Sequence, residues 1–378
     1  MRAAHIPRAG VPGAWGIPTV GDCVTAPWAD TGAMWEERAE RARREIATLA
    51  AGGLGLAELY AAALAVVQRE VPFEQGCWAG VDPESLVMTS VTNWRDWGVT
   101  EEYAARFAET EYAGQEPHRF AELSLRPRPI ARISDAPYRD VTGSVRVNEI
   151  LKPLGLEHEL RAAFRVDQAC WGVGSIFRES GPDFSDREVD FLAALTATLA
   201  AASRIAVRSE HAGRQATAGP VIVIAGLHGG LKAATAAAAT WLAEVEDAEP
   251  GRFSMTLHSV VAHAHASGSG TARARMRDAG NNWVVLQASR LITGDDPEQM
   301  VVTVEPATTF DLATLLLAAY GVTAREREVC LEVLSGSSTA DIARHLFISP
   351  HTVHDHLKSL FGKVGVGSRG ELVARLVA

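Results

Sequence analysis

The stretch LFISPHTVHDHLKSLFGKVG, residues 346–365, decides how the rest of the chain is read. Ser349 followed by Pro350 is a helix start: the serine hydroxyl can cap the first turn, and proline at the first helical position lacks only an N–H that would be unpaired anyway. Val353, Leu357, Leu360 and Val364 recur in steps of 4, 3 and 4, so one side of this helix is buried. His351, His354, Asp355 and Lys358 fall on the opposite side, with Thr352, Ser359 and Lys363 on a flank. Such an outward side is either merely solvated or reads a partner, and the pattern alone leaves both open. As a reader it fits the major groove of DNA. Lys358 and His354 can donate to guanine N7 or O6, and Asp355 can accept from cytosine N4. Thr352, Lys363 and Arg369 suit phosphates, which fix register and not sequence. With His351 and Ser359 these make the expected DNA-binding set.

Moving outward, Thr323 and Glu326 form a capping box that opens a helix running to about Leu334, and Gly336 ends it. Ser338 or Thr339 caps a second helix that buries Ile342, Ala343 and Leu346. Phe347-Ile348 makes a tight turn into the quoted helix, and Ser368 with Glu371 caps a fourth. Short helices joined in this way describe a helix-turn-helix unit over residues 321–378. Residues 322–376 resemble the LuxR-type (NarL/FixJ-like) DNA-binding domain. The resemblance rests on T-x-R-E-x-E-V at 323–329, Gly336 and Ser338, D-I-A at 341–343, I-S-x-x-T-V at 348–353, His356, Lys363, Gly365-Val366 and Ser368-Arg369. It implies a four-helix fold, DNA binding as a dimer with the third helix in the groove, and a last helix contributing a dimer contact through Leu372, Val373 and Leu376. The family often has Lys where this chain has His354, so that part of the readout is expected to be weaker and pH-sensitive.

The chain has 378 residues, enough for two or three domains, and its 47% hydrophobic and 22% charged content is that of a globular protein. Net charge is −10, unevenly placed: residues 321–378 hold seven Lys/Arg against six Asp/Glu, a balance of +1 on an acidic body of −11. A body that repels DNA confines binding to one face of the small module. Cys23, Cys77, Cys170 and Cys330 lack metal or redox spacing, so reduced thiols in a cytoplasmic protein are expected. There is no signal-peptide profile. The most apolar run, residues 191–207, is Ala-rich and carries Arg204, which favours a buried or coiled helix over a membrane span.

Ahead of the module, residues 1–33 read as a flexible arm rich in Pro and Gly. Trp35, Ala39, Ala42, Ile46 and Leu49 form the seam of a short coiled coil. A second helix spans 54–70. Strands are expected at 77–81, 86–91, 129–133, 160–166 and 170–177, with helices near 100–112 and 144–151. A long helix starts after Ser185, capped by Ser185 and Glu188. Its stripe of Leu192, Leu195, Leu199, Ala202 and Ala206 could pair with a second chain or pack on its own sheet. From Pro220 a second unit reads strand-turn-strand through 231, then two helices, then two strands flanking 293–299. A helix over 308–320 links it to the module. Residues 54–205 resemble a GAF sensor domain through helix 54–70 and the stretches 144–164 and 170–195, within an expected unit of 34–208. Residues 218–307 resemble a degenerate PAS domain through GNNWVVLQASRLI and VVTVEP. The order GAF, PAS, LuxR-type module resembles actinobacterial regulators. The expected fold class is therefore multidomain, two α+β units followed by an all-α module.

The resemblance to GAF and PAS folds implies a small ligand held between sheet and covering helices. Trp78, Trp94, Trp97, Phe107, Phe120, Phe164 and Trp171 are the candidates to line that pocket, against the plain alternative that aromatics fill the core. No cofactor is expected. No N-C-R-F run exists for a flavin adduct and no adjacent Cys-His for a bilin, and His118, His158, His258, His263 and His265 stand alone. The expected partners are double-stranded DNA, a second copy of the chain, a small-molecule effector and RNA polymerase, with no membrane. An enzyme is not expected: no nucleophile-base pair, metal spacing or phosphate loop is present, and the SGSGT run at 267–271 lacks the lysine of a phosphate loop. The rival reading is a sensor acting through protein contacts, its DNA module vestigial.

Overall fold

A computed structural model describes residues 32–95, 100–209, 220–227, 229–248, 251–292 and 299–377. Trp97 and nearly all of the expected N-terminal arm lie outside the described residues.

The first unit opens with α1 (Gly32–Ala51) and α2 (Leu56–Glu70), followed by β1 (Gln75–Val81), β2 (Met88–Asn93), α3 (Glu101–Tyr112) and the short α4 (Phe120–Leu123). Next come β3 (Ile130–Arg132), α5 (Tyr138–Gly143), a π-helical turn Arg146–Leu151, β4 (His158–Val166), β5 (Ala169–Arg178) and α6 (Asp186–Ser209). The strands form one antiparallel sheet in the order β2-β1-β5-β4-β3. Alternation along each strand sends Trp78, Leu160, Ala162, Phe164 and Ile176 to the face covered by α1, α2 and α6. Ala79, Val81, Ala131, Ala163 and Val173 go to the other face, beneath Phe120 and Leu123 of α4. Two glycines make the helical face possible. A Cβ at Gly172 would stand 2.0 Å from Tyr60 Oη, and one at Gly174 2.2 Å from Trp78 Cδ1. In the room they leave, Tyr60, Trp78 and Phe164 pack edge to face, and the Tyr60 hydroxyl meets Ser203 Oγ at 2.9 Å.

Two expected seams resolve in favour of packing within the chain. Trp35, Ala39, Ala42 and Ile46 of α1 are buried in the same core as Leu192, Leu195, Leu199 and Ala202 of α6. The long stripe therefore lies on its own sheet and on its neighbouring helices. The segment Asp186–Val207 is long and apolar enough to cross a bilayer, and more than half of that window is buried inside the chain.

The second unit comprises β6 (Val221–Ala225), β7 (Leu231–Ala234), α7 (Ala236–Ala248), α8 (Arg252–Ala266), β8 (Thr271–Arg277), β9 (Trp283–Arg290) and β10 (Met300–Pro306). Its order, β7-β6-β10-β9-β8, repeats the 2-1-5-4-3 pattern of the first sheet. Strand β8 is absent from the sequence expectation. Its alternation of Ala272, Ala274 and Met276 with Arg273, Arg275 and Arg277 is a period-2 signal, masked by short alanines in place of β-branched residues.

The two units interlock. Helix α8 lies against α3 and β2, placing Met255 beside the lower core of the first unit, while Val87 of the first unit enters the core of the second. The Tyr112 ring stacks on His263, and its hydroxyl donates to the Leu86 carbonyl and accepts from Met88 N–H. Arg275 joins three parts of the chain. Its Nε and Nη2 donate to the two Asp82 oxygens at 2.7 and 2.8 Å, and Nη2 also reaches Glu84 at 3.0 Å. Nη1 donates to the Asp311 carbonyl and to Thr314 Oγ1 at 3.1 and 2.6 Å. Burial alone would push the Asp82 carboxyl up; the Arg275 guanidinium outweighs that and holds it below its ordinary value.

Asp311 and Thr314 sit on α9 (Thr309–Ala319), the helix before the C-terminal module of α10 (Ala324–Leu334), α11 (Thr339–His345), α12 (Pro350–Val364) and α13 (Arg369–Val377). Helix α9 is more than a linker: Leu315 and Ala319 belong to the first unit's core, whereas Ala313, Leu316 and Leu317 share a core with Val329, Leu357, Leu372 and Leu376.

Candidate nucleic-acid interface

Each module helix begins where its cap residue dictates. Thr323 Oγ1 accepts from Glu326 N–H while the Glu326 carboxylate accepts from Thr323 N–H, a reciprocal box. Ser338, Ser349 and Ser368 hydroxyls accept from the third N–H of their helices. Gly365 ends α12 in the left-handed region at φ 74°, where glycine carries no steric penalty. Val353, Leu357, Leu360 and Val364 are buried in the module core, as the spacing predicts.

The opposite side of α12 is open. His351, His354, Asp355 and Lys358 are exposed, and the His351 side chain is 87% accessible. From His351 to Lys358 the helix advances about 10 Å at 1.5 Å per residue, roughly three base-pair steps. Thr352, by contrast, is half-buried and shares its hydroxyl with the Ser349 cap at 2.8 Å.

The flank also makes contacts within the module. Glu326, nearly buried on α10, accepts from Lys363 Nζ and from Ser359 Oγ, both at 2.6 Å. These two residues, expected to face a duplex, are exposed and also tie α12 to α10 through Glu326, which sets the angle of the open side. Burial alone would raise the Glu326 carboxyl; the hydrogen bonds from Lys363, Ser359 and Thr323 outweigh it and bring it down to about 2. Arg369 is likewise engaged inside the module, its guanidinium donating to the Ser337 carbonyl and Thr339 Oγ1 at 3.3 and 2.8 Å. The sequence signal for the Glu326 bolt was legible only as half of a capping box. Of the residues expected at a dimer contact, Leu372 and Leu376 are buried in the module's own core with α9, and Val373 is half-buried against it.

In the first unit, the aromatic candidates divide between the two sheet faces. Phe107 and Phe120 line a cavity of about 50 Å³ together with Cys77, Ala79, Val173 and Met255. Trp78 and Phe164 point to the opposite face because their neighbours Cys77, Ala79 and Ala163 occupy this one. Trp171 joins them there: the β4–β5 register shifts between Phe164 and Arg165, and such a bulge re-aims a side chain. Trp94 packs edge-on against Phe73, 5.9 Å between ring centroids, at the margin of the same core. Beside the cavity lies a buried ion group that the sequence reading missed. Arg161 bonds Glu111 and Glu159, Arg146 bonds Glu159, and the Arg161 guanidinium stands 3.8 Å from the Phe120 ring centroid. Burial raises the Glu111 carboxyl, whereas Glu159 is held below the usual range: burial opposes this, but Arg146 and Arg161 outweigh it. Among the described residues no group of three His, Cys, Asp or Glu side chains is placed to hold a metal ion.

The sequence profile of the GerE domain, "Bacterial regulatory proteins, luxR family", matches residues 321–376. The monoamine regulon transcriptional regulator of Klebsiella aerogenes is 48% identical over 54 residues, which is 14% of this chain and 24% of that protein. The CsgBAC operon transcriptional regulatory protein of Escherichia coli is 43% identical over 53 residues, again 14% and 24%. The matched stretch spans between 6% and 24% of the length of the curated relatives. Among solved structures, Escherichia coli SdiA aligns over 88% of this chain and 94% of its own at 12% identity and a TM-score of 0.33. The phycoerythrobilin-bound GAF domain of a cyanobacterial phytochrome covers 46% of this chain and 98% of its own at 16% identity and a TM-score of 0.32. The two antiparallel sheets with their helices form GAF/PAS-like α+β units, and residues 321–376 are a helix-turn-helix domain of the luxR family of bacterial regulatory proteins.

Proposed function

We propose that this chain is a transcriptional regulator that binds double-stranded DNA as a dimer, with α12 in the major groove and the two α+β units setting when it can do so. The observation that carries this reading is the division of α12. One side is wholly buried in a luxR-family domain, and the other exposes His351, His354, Asp355 and Lys358 along about 10 Å of helix. In this arrangement Lys358 and His354 donate to purine edges and Asp355 accepts from cytosine, while Thr352 and Arg369 hold the helix ends near phosphates. Lys363 and Ser359 act as positioning residues through Glu326.

The first unit is the proposed sensor, with Phe107 and Phe120 as its ligand-facing aromatics. Its cavity of about 50 Å³ is far below the ~300 Å³ and more of a ligand-filled pocket, so an effector enters by displacing the covering helices, Met255 of α8 among them. That movement bears on the second unit and, through Arg275, on α9 and the module. RNA polymerase is the further partner this reading assigns. The test is fluorescence anisotropy of the full chain on a selected duplex. Lys358→Ala should weaken specific binding by about 1–3 kcal/mol. Unchanged affinity removes Lys358 from the readout.

A further inference from the structure

The turn between α11 and α12 carries a combination found nowhere else among the described residues. Phe347 is 94% exposed and holds φ at 53°, in the left-handed region. Of the five non-glycine residues there, only Phe347 is also an exposed large apolar side chain. The backbone angle is set by the end of α11, where the Ile348 N–H donates to the Ala343 carbonyl at 3.0 Å, and glycine or asparagine would adopt it at lower cost; burial does not account for the ring. An apolar ring presented to solvent where nothing in the chain covers it points to contact outside the chain. Its neighbours say with what. Arg344 and His345 at the end of α11 are 69% and 51% accessible, and His351 on the first turn of α12 is 87% accessible. An aromatic ring flanked by basic groups, beside the end of a helix whose first residues enter the groove, suits the sugar-phosphate backbone at the groove's rim.

We infer that this turn is a second DNA-contacting element, with Phe347 packed on deoxyribose and Arg344 on a phosphate, adding sequence-independent affinity to the readout by α12. The inference rests on the function proposed above and names the part of the duplex this turn meets. Arg344 lies 3.0 Å from Asp341, an exposed pair that a phosphate can replace.

The test uses the full chain on a selected duplex and a scrambled one, titrated from 50 to 200 mM salt. Phe347→Gly and Phe347→Asn both tolerate the backbone angle, so their Tm should equal or exceed the parent's. Both should lose about tenfold in affinity on either duplex, with the salt slope unchanged, because the contact is apolar. Arg344→Gln should reduce the slope by about one on both. Parent-like affinity in both Phe347 variants, while Lys358→Ala still weakens selective binding, overturns the inference and leaves the proposed function standing. A lowered Tm in both variants also overturns it, by making Phe347 structural. A parent chain that binds neither duplex removes both readings.

Discussion

Replacing Arg275 by alanine perturbs a side chain of the second unit that bonds both the first unit and α9. Asp82 is 4% exposed and would keep only its backbone donors, the N–H groups of Glu84, Ser85 and residue 275. Removing one partner of a buried ion pair costs about 3–5 kcal/mol, because the remaining charge has neither water nor counter-ion. The neighbouring Arg273 is 52% exposed, and its partner Asp311 keeps the Thr308 N–H and hydroxyl as donors, so Arg273→Ala should cost about 1 kcal/mol or less. The loss is local to this junction, so the measurement is native-state hydrogen exchange at the amides of β8 and α9. Arg275→Ala should lower protection there by two or more orders of magnitude, and Arg273→Ala by less than one. The double variant Arg275→Met with Asp82→Asn should recover much of the loss, since no charge is left stranded. The sign with pH follows from the depressed Asp82 carboxyl. Its contribution is present above the ordinary value of 3.8 and is lost as pH falls below it through the folded value. If Arg275→Ala leaves β8 and α9 protection unchanged, or the double variant costs the sum of the singles, the junction is not held as described.

Lys363→Ala should destabilise α12 against α10 by about 1–3 kcal/mol, read by amide exchange in those helices, because Glu326 loses a partner while nearly buried. The salt slope for non-specific DNA should change by well under one; a full unit would show that the ion pair opens on the duplex. Protection of α12 should hold above pH 4.5 and fall as pH drops from there toward 2, and Glu326→Gln should abolish that dependence. Gly172→Ala drives a methyl into Tyr60 Oη and should lower the first unit's stability by about 1–3 kcal/mol in a urea melt.

How much of this was legible in the sequence varies with the range of the interactions. Caps and stripes are local, so Ser349, the Thr323–Glu326 box and the Val353–Val364 stripe specified the module helices directly. Strand alternation placed the first sheet, but the face on which Trp78, Phe164 or Trp171 would land depended on parity and on a bulge at Phe164/Arg165 that no window shows. Strand β8 was missed because Ala272 and Ala274 carry a weak strand signal, although its three arginines alternate cleanly. The bonds from Lys363 and Ser359 to Glu326 span more than thirty residues, and those from Arg275 to Asp82 nearly two hundred, so charge and periodicity could not pair them. The same distance hid the burial of Leu372 and Leu376 beneath α9.

The most direct test selects duplexes from a random library with the full chain and compares affinities for selected and scrambled sequences at one fixed salt concentration. A two-fold symmetric site bound at least 10³ tighter than the scrambled control, with preference lost at the same base pairs when His354 or Lys358 becomes alanine, is the predicted result. Enrichment of no sequence, or equal binding to both duplexes, would contradict a reading role for α12.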